Sequence, residues 1–471
     1  MSPVAATGSD AVLAARASRV APDRVSRGVL LVYAPPLAAL GVCLFFIQFY
    51  FLKFATDVLL IAPAATGLLF GLARVWDAVS DPLAGYWSDR TRTRWGRRRP
   101  WMVAALPLLA LSFALVWAPP AALSGSALIL WIGVALFAFY TGHTIYFVPH
   151  QSLGAEITTD HHDRSRVFGM RHAAWILSMM GAFAVMGWVD GSGDARTTAA
   201  WVAPVLAVAA VVVLAVPPLR LRERPEHWGR AAESPYAALR DVLRNRHARP
   251  LLVVWFVESL GGAVLGVLSP FVTEYVVGRP DLIAHVPAVF LATAIVAIPV
   301  WVRLSRRFGK RNVWLVAMVG VSFSFGGTFF LEKGDLATLF GLLAVAGFCF
   351  GCGGAIGQSI LADVIDFDEH ASGQRKEGAY SAAFGFALKS GAGLTIMATG
   401  VALQLSGFDP NAPQSEAVLL TLRSVFAAAP FFAYLTGALI FRRFAFNEPE
   451  YREVRAELDR RAARQRDSEA G

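Results

Sequence analysis

The chain has 471 residues, of which 56% are hydrophobic and only 16% charged, with a mean hydropathy of +0.51. Soluble domains carry about 25% charged residues, so a deficit this large over so long a chain excludes an ordinary soluble enzyme or binding module and predicts a membrane protein. The net charge of +9 does not point to nucleic acid, because the basic residues fall in short runs between apolar stretches and form no basic face interleaved with stackable aromatics.

Residues 1–27 hold Arg16, Arg19, Arg24 and Arg27 without the continuous apolar core of a signal peptide, and are expected to be a cytoplasmic tail. A spanning helix needs about 20 predominantly apolar residues. Such stretches lie near 29–53, 64–87, 101–118, 127–153, 167–188 and 199–217, and again near 250–276, 286–304, 312–331, 336–361, 378–405 and 418–442. Between the two sets lies a polar linker, 218–249, with Pro217, Pro218, Pro225 and Pro235 in or beside it. Residues 444–471 are charged and poor in apolar residues, a second tail. Cys43, Cys349 and Cys352 all fall inside apolar segments. The C-x-x-C spacing of the last two lacks the further ligands of a metal site, so they are read as packing residues.

Orientation follows from the loops. The loop 88–100 holds six arginines, the linker 218–249 eight, and 303–311 five basic residues, whereas the loops at the other ends hold none or one each. Cytoplasmic loops carry the Arg and Lys excess, so both termini are expected in the cytoplasm, which an even number of twelve spans satisfies. The halves also echo each other. Ser88-Asp89-Arg90 through Arg97-Arg98-Arg99 has a weaker counterpart in Ser305-Arg306-Arg307 through Arg311, and Leu153-Gly154-Ala155-Glu156 has one in Leu361-Ala362-Asp363. A six-plus-six parallel duplication is the architecture of the major facilitator fold, with its solute site at mid-membrane between the halves. The expected organisation is a tail 1–27, a six-helix bundle 28–217, the linker 218–249, a second bundle 250–443 and a tail 444–471.

Charges inside spans are costly and mark functional sites. The second span holds Arg74, Asp77, Ser80 and Asp81. Asp77 and Asp81 are i, i+4 neighbours on a helix, with Ser80 beside them and Arg74 on the same stripe. Two carboxylates and a hydroxyl offer hard oxygen ligands to an alkali cation, and an adjacent carboxylate pair can equally hold one proton; a clamp neutralised by Arg74 that only cements packing is the bland alternative. Lys389 is a cation at mid-depth of the eleventh span, in a chain with 5 lysines and 38 arginines. It could bind an anionic solute group or neutralise the acidic pair when no metal is bound. Glu258 in the seventh span is deep enough to meet solute, while Glu274 near its outer end reads as a rim charge. His143, His150 and Gln151 follow on the fourth span, and Trp76 and Arg171 join them as substrate or coupling candidates.

Three long motifs resemble the glycoside–pentoside–hexuronide cation symporters, the melibiose-permease-like branch of the major facilitator superfamily. They are Ala73-Arg74-Val75-Trp76-Asp77-Ala78-Val79-Ser80-Asp81-Pro82 with its basic continuation to Trp101, then Pro149 and Leu153-Gly154-Ala155-Glu156 with Asp163-Arg164-Ser165-Arg166, and Leu361-Ala362-Asp363-Val364-Ile365-Asp366 with Gly373-Gln374-Arg375. The chain is more distantly similar to the sodium-dependent lysophospholipid symporters. The resemblance implies a cation site at Asp77, Ser80, Asp81 and Thr144, a coupling lysine at Lys389, and a cytoplasmic gate of Asp89, Arg97, Arg98, Asp363, Asp366 and Arg375. It also exposes departures. Where sugar-transporting members hold galactosyl hydroxyls with aspartates, this chain has Gly41 and Phe147, and an aromatic platform becomes Gln151.

The sequence therefore predicts a secondary transporter of the cell membrane. Its mode would be symport of a small organic, glycoside-like solute with Na+ or H+, Li+ being compatible with the same oxygens. Transport of an amphipathic lipid such as a lysophospholipid is the alternative. No enzymatic cofactor, nucleic acid or protein partner is expected beyond solute and bilayer, and the chain is read as a monomer. An intramembrane Mg-dependent prenyltransferase is the remote alternative, but the spacing of Asp77, Asp81 and Asp89 is wrong for its aspartate motif. A transport-incompetent receptor would have lost the acidic pair, which is intact.

Overall fold

The computed structural model describes residues 26–156, 161–221, 223, 235–373, 377–444 and 450–460 except 452, 455 and 459. The expected N-terminal tail up to residue 25, the end of the C-terminal tail and Arg375 lie outside the described residues. All regular structure among the described residues is helical. In chain order the helices are α1 (Arg27–Tyr33), α2 (Pro35–Lys53), α3 (Pro63–Arg90), α4 (Arg99–Trp117), α5 (Gly125–Glu156), α6 (His161–Asp190), α7 (Ala195–Leu214) and α8 (Val216–Arg220). The order continues with α9 (Pro235–Arg244), α10 (Ala248–Phe271), α11 (His285–Phe308), α12 (Lys310–Gly327), α13 (Leu336–Cys352), α14 (Gln358–Ser372), α15 (Glu377–Leu405) and α16 (Glu416–Phe441).

Among the described residues, eleven helical stretches are long and apolar enough to cross a membrane. The expected second span, α3, is not among them. Its 28 residues reach about 42 Å at about 1.5 Å per residue, so length suffices. Its charged residues, Arg74, Asp77, Asp81, Asp89 and Arg90, lower its apolarity. A helix carrying that set is stable at membrane depth only with its charges turned inward and paired, and α3 is accordingly packed between α5 and α15.

Local chemistry sets the helix ends. Pro63 and Pro100 stand in the first turns of α3 and α4, where a missing N–H costs nothing. The Asp194 and Ser415 side chains accept from Thr197 N and Val418 N to cap α7 and α16. Gly373, at φ 70°, ends α14, with its N–H bonded to the Glu369 carbonyl. The tenth span runs further than its apolar stretch suggested, because α13 continues through a π-type turn at Gly353–Gly357 into α14.

Packing divides along the chain. Apart from α3 and α15, which pack more extensively on each other than on any other helix, α2 to α7 pack chiefly on one another and α10 to α16 on one another. The most extensive contact between the two sets is α3 against α15, with smaller ones of α2 on α10 and α6 on α11. Bare backbone makes the main seam: a Cβ at Gly67 would stand 2.8 Å from the Gly400 Cα and 2.9 Å from the Ile396 carbonyl. Without a hydrophobic force between helices in lipid, such small-residue seams are how spans approach closely. Gly347 on α13 is among the most tightly placed glycines, since a Cβ would run into the Phe290 carbonyl and Thr293 hydroxyl of α11. Gly347→Ala is expected to overpack this seam by about 1–3 kcal/mol and lower the melting temperature in detergent, whereas Gly341→Ala, facing open space, leaves it unchanged.

Candidate functional site

The acidic helix, the fourth span and the eleventh span meet at one buried cluster. Asp77 is fully buried, Ser80 and Arg74 nearly so. Thr144, on α5, stands within reach of three oxygens: 3.1 Å from Asp77 Oδ1, 2.9 Å from Asp81 Oδ1 and 3.0 Å from Ser80 Oγ. The Ser80 hydroxyl is also 3.2 Å from the Asp77 carbonyl. One threonine hydrogen can donate to only one carboxylate at a time. At least one of these short oxygen–oxygen contacts therefore has no hydrogen in it while both carboxylates are ionised. Four crowded oxygens with too few protons are an arrangement that a hard cation or an extra proton stabilises.

Positive charge comes from two sides. Arg74 Nη1 is 3.1 Å from Asp77 Oδ2 within α3. Lys389 Nζ, from α15, is 2.9 Å from Asp77 Oδ2 and 2.5 Å from Asp81 Oδ2. The two carboxylates and two cations sum to zero, so in this arrangement Lys389 occupies the place of a counter-cation. His143, next to Thr144, puts Nδ1 3.5 Å from Asp77 Oδ1 and stacks on Phe147.

Lys389 and Arg74 also line a cavity of about 410 Å³ between the two sets of helices, a volume in the range of small-molecule sites. Phe45, Phe49 and Phe183 wall one side, and Trp255, Trp314 and Phe290 the other. Glu258 faces it from α10 beside the Trp314 indole. Gln48, Ser259, Gln358 and Tyr434 add to its polar lining. Of the expected solute contacts, then, Lys389, Arg74 and Glu258 are brought together at the cavity.

Trp76, Gln151, His150 and Arg171 are placed elsewhere. Trp76 donates its indole N–H to Thr141 at 2.9 Å. His150 is wholly buried between the Tyr33 and Tyr146 rings, at centroid distances of 4.6 and 5.5 Å. Arg171 and Gln151 are half-buried and not part of the cavity wall. The two positions that lack the sugar-family aspartates are packing positions: a Cβ at Gly41 would collide with Ser178, and Phe147 lies on His143. Gln48, Trp255 and Trp314 were not anticipated, since an aromatic or a lone amide in an apolar span carries no signal of which way it faces.

The residues expected to form a gate sit at the far end of α3 and on α14. Asp89 Oδ1 receives Arg98 Nη2 at 3.1 Å and lies 3.7 Å from Arg97 Nη1. The backbone N–H groups of Arg97, Arg98 and Arg99 donate to the Glu223 carboxylate at 2.9–3.0 Å, a contact the sequence did not announce. Asp363 receives Lys310 Nζ at 2.6 Å, and Asp366 is buried. These ion pairs tie each motif to its own set of helices.

Residues 32–448 match a family model described as "MFS/sugar transport protein". The chain belongs to this family. It is 24% identical over 470 residues to a sodium-dependent lysophosphatidylcholine symporter of Xenopus tropicalis, covering 90% of this chain and 88% of that protein. It is 26% identical to the inner membrane symporter YicJ of Escherichia coli K12, over 84% and 87% of the two chains, and 26% identical to the isoprimeverose transporter of Lactiplantibacillus pentosus, over 88% of each. Among solved structures it shares the fold of a bacterial homologue of the lysosomal transporter Spinster (TM-score 0.64, 13% identity, 91% and 98% coverage). It shares that of the nucleoside transporter NupG as well (TM-score 0.63, 12% identity, 88% and 99% coverage). This family member is a multi-pass membrane transporter of the major facilitator type and not an enzyme. Cation-coupled symport by alternating access is the mode of transport that its relatives support.

Removing Lys389 leaves two carboxylates against one cation. Lys389→Met is expected to cost on the order of 3 kcal/mol, as for breaking a buried pair, in a melt without added sodium or lithium. Lys389→Met with Asp81→Asn restores neutrality and should recover most of that loss; a double variant no more stable than the single one would mean that the pairing is not what matters.

Proposed function

We propose that this transporter has twelve spans in two six-helix bundles, 28–217 and 250–443, joined by the linker 218–249, with both termini cytoplasmic. It couples solute movement to Na+ or H+ at Asp77, Ser80, Asp81 and Thr144, with Li+ fitting the same oxygens. The observation that carries this reading is the double engagement of Lys389: its ammonium lies on both carboxylates and at the wall of the cavity. A cation entering among the oxygens replaces the ammonium as counter-charge. The freed lysine then offers its charge to solute in the cavity, and coupling in one direction requires equal coupling in the other.

The cavity favours an amphipathic solute with an anionic or dipolar head. Its walls are largely aromatic and aliphatic, its charges are gathered at Arg74, Lys389 and Glu258, and Gly41 and Phe147 offer no carboxylate to sugar hydroxyls. The family's lysophosphatidylcholine symporters are named for such solutes. A glycoside is the second reading, favoured by the Trp255 and Trp314 indoles beside Glu258, since indole faces stack on apolar ring surfaces.

The test is a melt of the purified protein in detergent with NaCl, LiCl or KCl across pH, followed by uptake into proteoliposomes from a panel of lysolipids and glycosides. A site-bound ion at a hundred times its Kd should stabilise by about 2.7 kcal/mol. That gain should vanish in Asp77→Asn and Asp81→Asn, with ion-driven uptake lost in both. Ion-driven uptake that survives in both variants would sink the site. A response to pH alone assigns the proton as coupling ion. Glu258→Gln is expected to reduce uptake of a dipolar solute at least about tenfold, as loss of one charge-assisted bond does, while leaving the ion's effect on melting intact.

A further inference from the structure

At the end of the bundle away from the arginine-rich loop, α2 and α10 finish in the same way. Each runs into a π-type turn, Phe54–Val58 and Val272–Val276, placed 218 residues apart. The closing bonds repeat at that spacing: Leu59 N to the Phe54 carbonyl and Ile61 N to the Ala55 carbonyl, against Val277 N to the Val272 carbonyl and Arg279 N to the Thr273 carbonyl. Even the left-handed residue recurs, as Leu60 at φ 55° and Gly278 at φ 77°. A leucine there has no conformational excuse of its own, so the turn is held by what it presents. Single π-type turns inside helices re-aim side chains and gather at functional places.

What the two turns present is a polar knot between the halves. Lys53 Nζ pairs with Asp57 Oδ2 at 2.8 Å within its own half and with Glu274 across the interface. The Tyr275 hydroxyl donates to Asp57 Oδ2 at 3.0 Å. Asn411, in the loop between α15 and α16, donates Nδ2–H to the Asp57 carbonyl at 2.7 Å, and its backbone N–H lies 3.3 Å from the Tyr275 hydroxyl. Lys53 and Asp57 are buried. Alongside, the Gln404 side-chain oxygen accepts from Ala64 N at 3.1 Å, next to the Gly67–Gly400 seam.

We propose that Lys53, Asp57, Glu274 and Tyr275 form a latch that holds the extracytoplasmic end of the transporter shut and has to open for solute to enter from that side. The pairing makes the latch reversible. When the halves part, Lys53 loses Glu274 but keeps Asp57 one turn away on its own chain, so no buried charge is orphaned. Glu274, half-buried at the rim, passes into water. Opening breaks one inter-half ion pair, the Tyr275 and Asn411 bonds to Asp57 and the Gln404 bond to Ala64, all at one end, while the Asp81–Lys389 contact deeper in acts as the pivot.

Cys349, which lines the cavity, reports on the state of the latch without any solute. In intact cells, a membrane-impermeant maleimide applied from outside should modify Cys349 about tenfold faster in Glu274→Gln than in the wild type, as expected for losing one charge-assisted bond from the closed state. Sites are read by peptide mapping. Tyr275→Phe, which removes only a hydroxyl, should give about a threefold rise and decides the matter if Glu274→Gln does not fold. Unchanged labelling from outside in a folded variant of either kind overturns the latch. Because no ion or solute is involved, the result stands apart from the assignment of Asp77 and Asp81.

Discussion

The contact on which the structure turns is the Lys389 ammonium lying on Asp77 and Asp81. Charges at membrane depth must be neutralised locally, because the cost of leaving one alone is several kcal/mol. α3 brings two negative charges and one positive, and α15 supplies the missing one. The acidic pair is thus completed by the other half of the molecule, and the two halves are joined at mid-depth by electroneutrality as much as by packing. A lysine suits this part better than an arginine. Its charge is compact and carried on a flexible stem, so it can exchange one set of partners for another without rebuilding a planar fork.

The surrounding fold serves that contact. Glycines at 67, 71, 393 and 400 let α3 and α15 run backbone to backbone on one side of the pair, and small residues give a seam that slides or opens with little side-chain reordering. The cavity lies beside the pair, between the same two sets of helices, so that Lys389 and Arg74 belong to both. On the proposed reading, ion and solute would be neighbours through one lysine rather than through a long chain of contacts. The repeated π-type turns at the ends of α2 and α10 show duplication used in the same spirit: two copies of one device, aimed at each other across the interface, with different side chains fitted to each.

Much of this was legible in the sequence because the physics that writes it there is coarse. Twenty apolar residues with basic ends mean a span whatever the neighbours are, and carboxylates inside such a stretch stand out. Asp77, Ser80 and Asp81 could be placed on one helix face from spacing alone. Thr144 could not; only the family resemblance pointed to it, since a threonine in an apolar span has many bland uses. Which way a residue faces was the harder question. His150 looked like a polar group for a cavity and is instead packed between two tyrosine rings. Trp255 and Trp314 carried no signal of their facing, and they line the cavity. Lys53 and Asp57 sat at the edge of a predicted span, where charges are ordinarily interfacial, and Glu274 was read as a rim charge. It is one, but its partner comes from the other half, and a contact 221 positions away in the chain leaves no local trace.

Charge counting extends to the solute. With Lys389 on the acidic pair the cluster is neutral. Once a sodium ion or a proton satisfies the carboxylates, Lys389 and the cluster together carry one positive charge beside a cavity walled by phenylalanine and tryptophan. An anionic or phosphate-bearing head group restores neutrality there, and its own apolar part finds the aromatic wall. A neutral glycoside would leave the charge to trapped water or to Glu258 on the opposite side. On the proposed reading the same arithmetic would put the cation first in the order of binding, since solute arriving earlier would meet a lysine already engaged. Selectivity for an ion and preference for a solute would then be two readings of one constraint, that the space between α3, α10 and α15 is neutral when empty and neutral again when ion and solute are both bound.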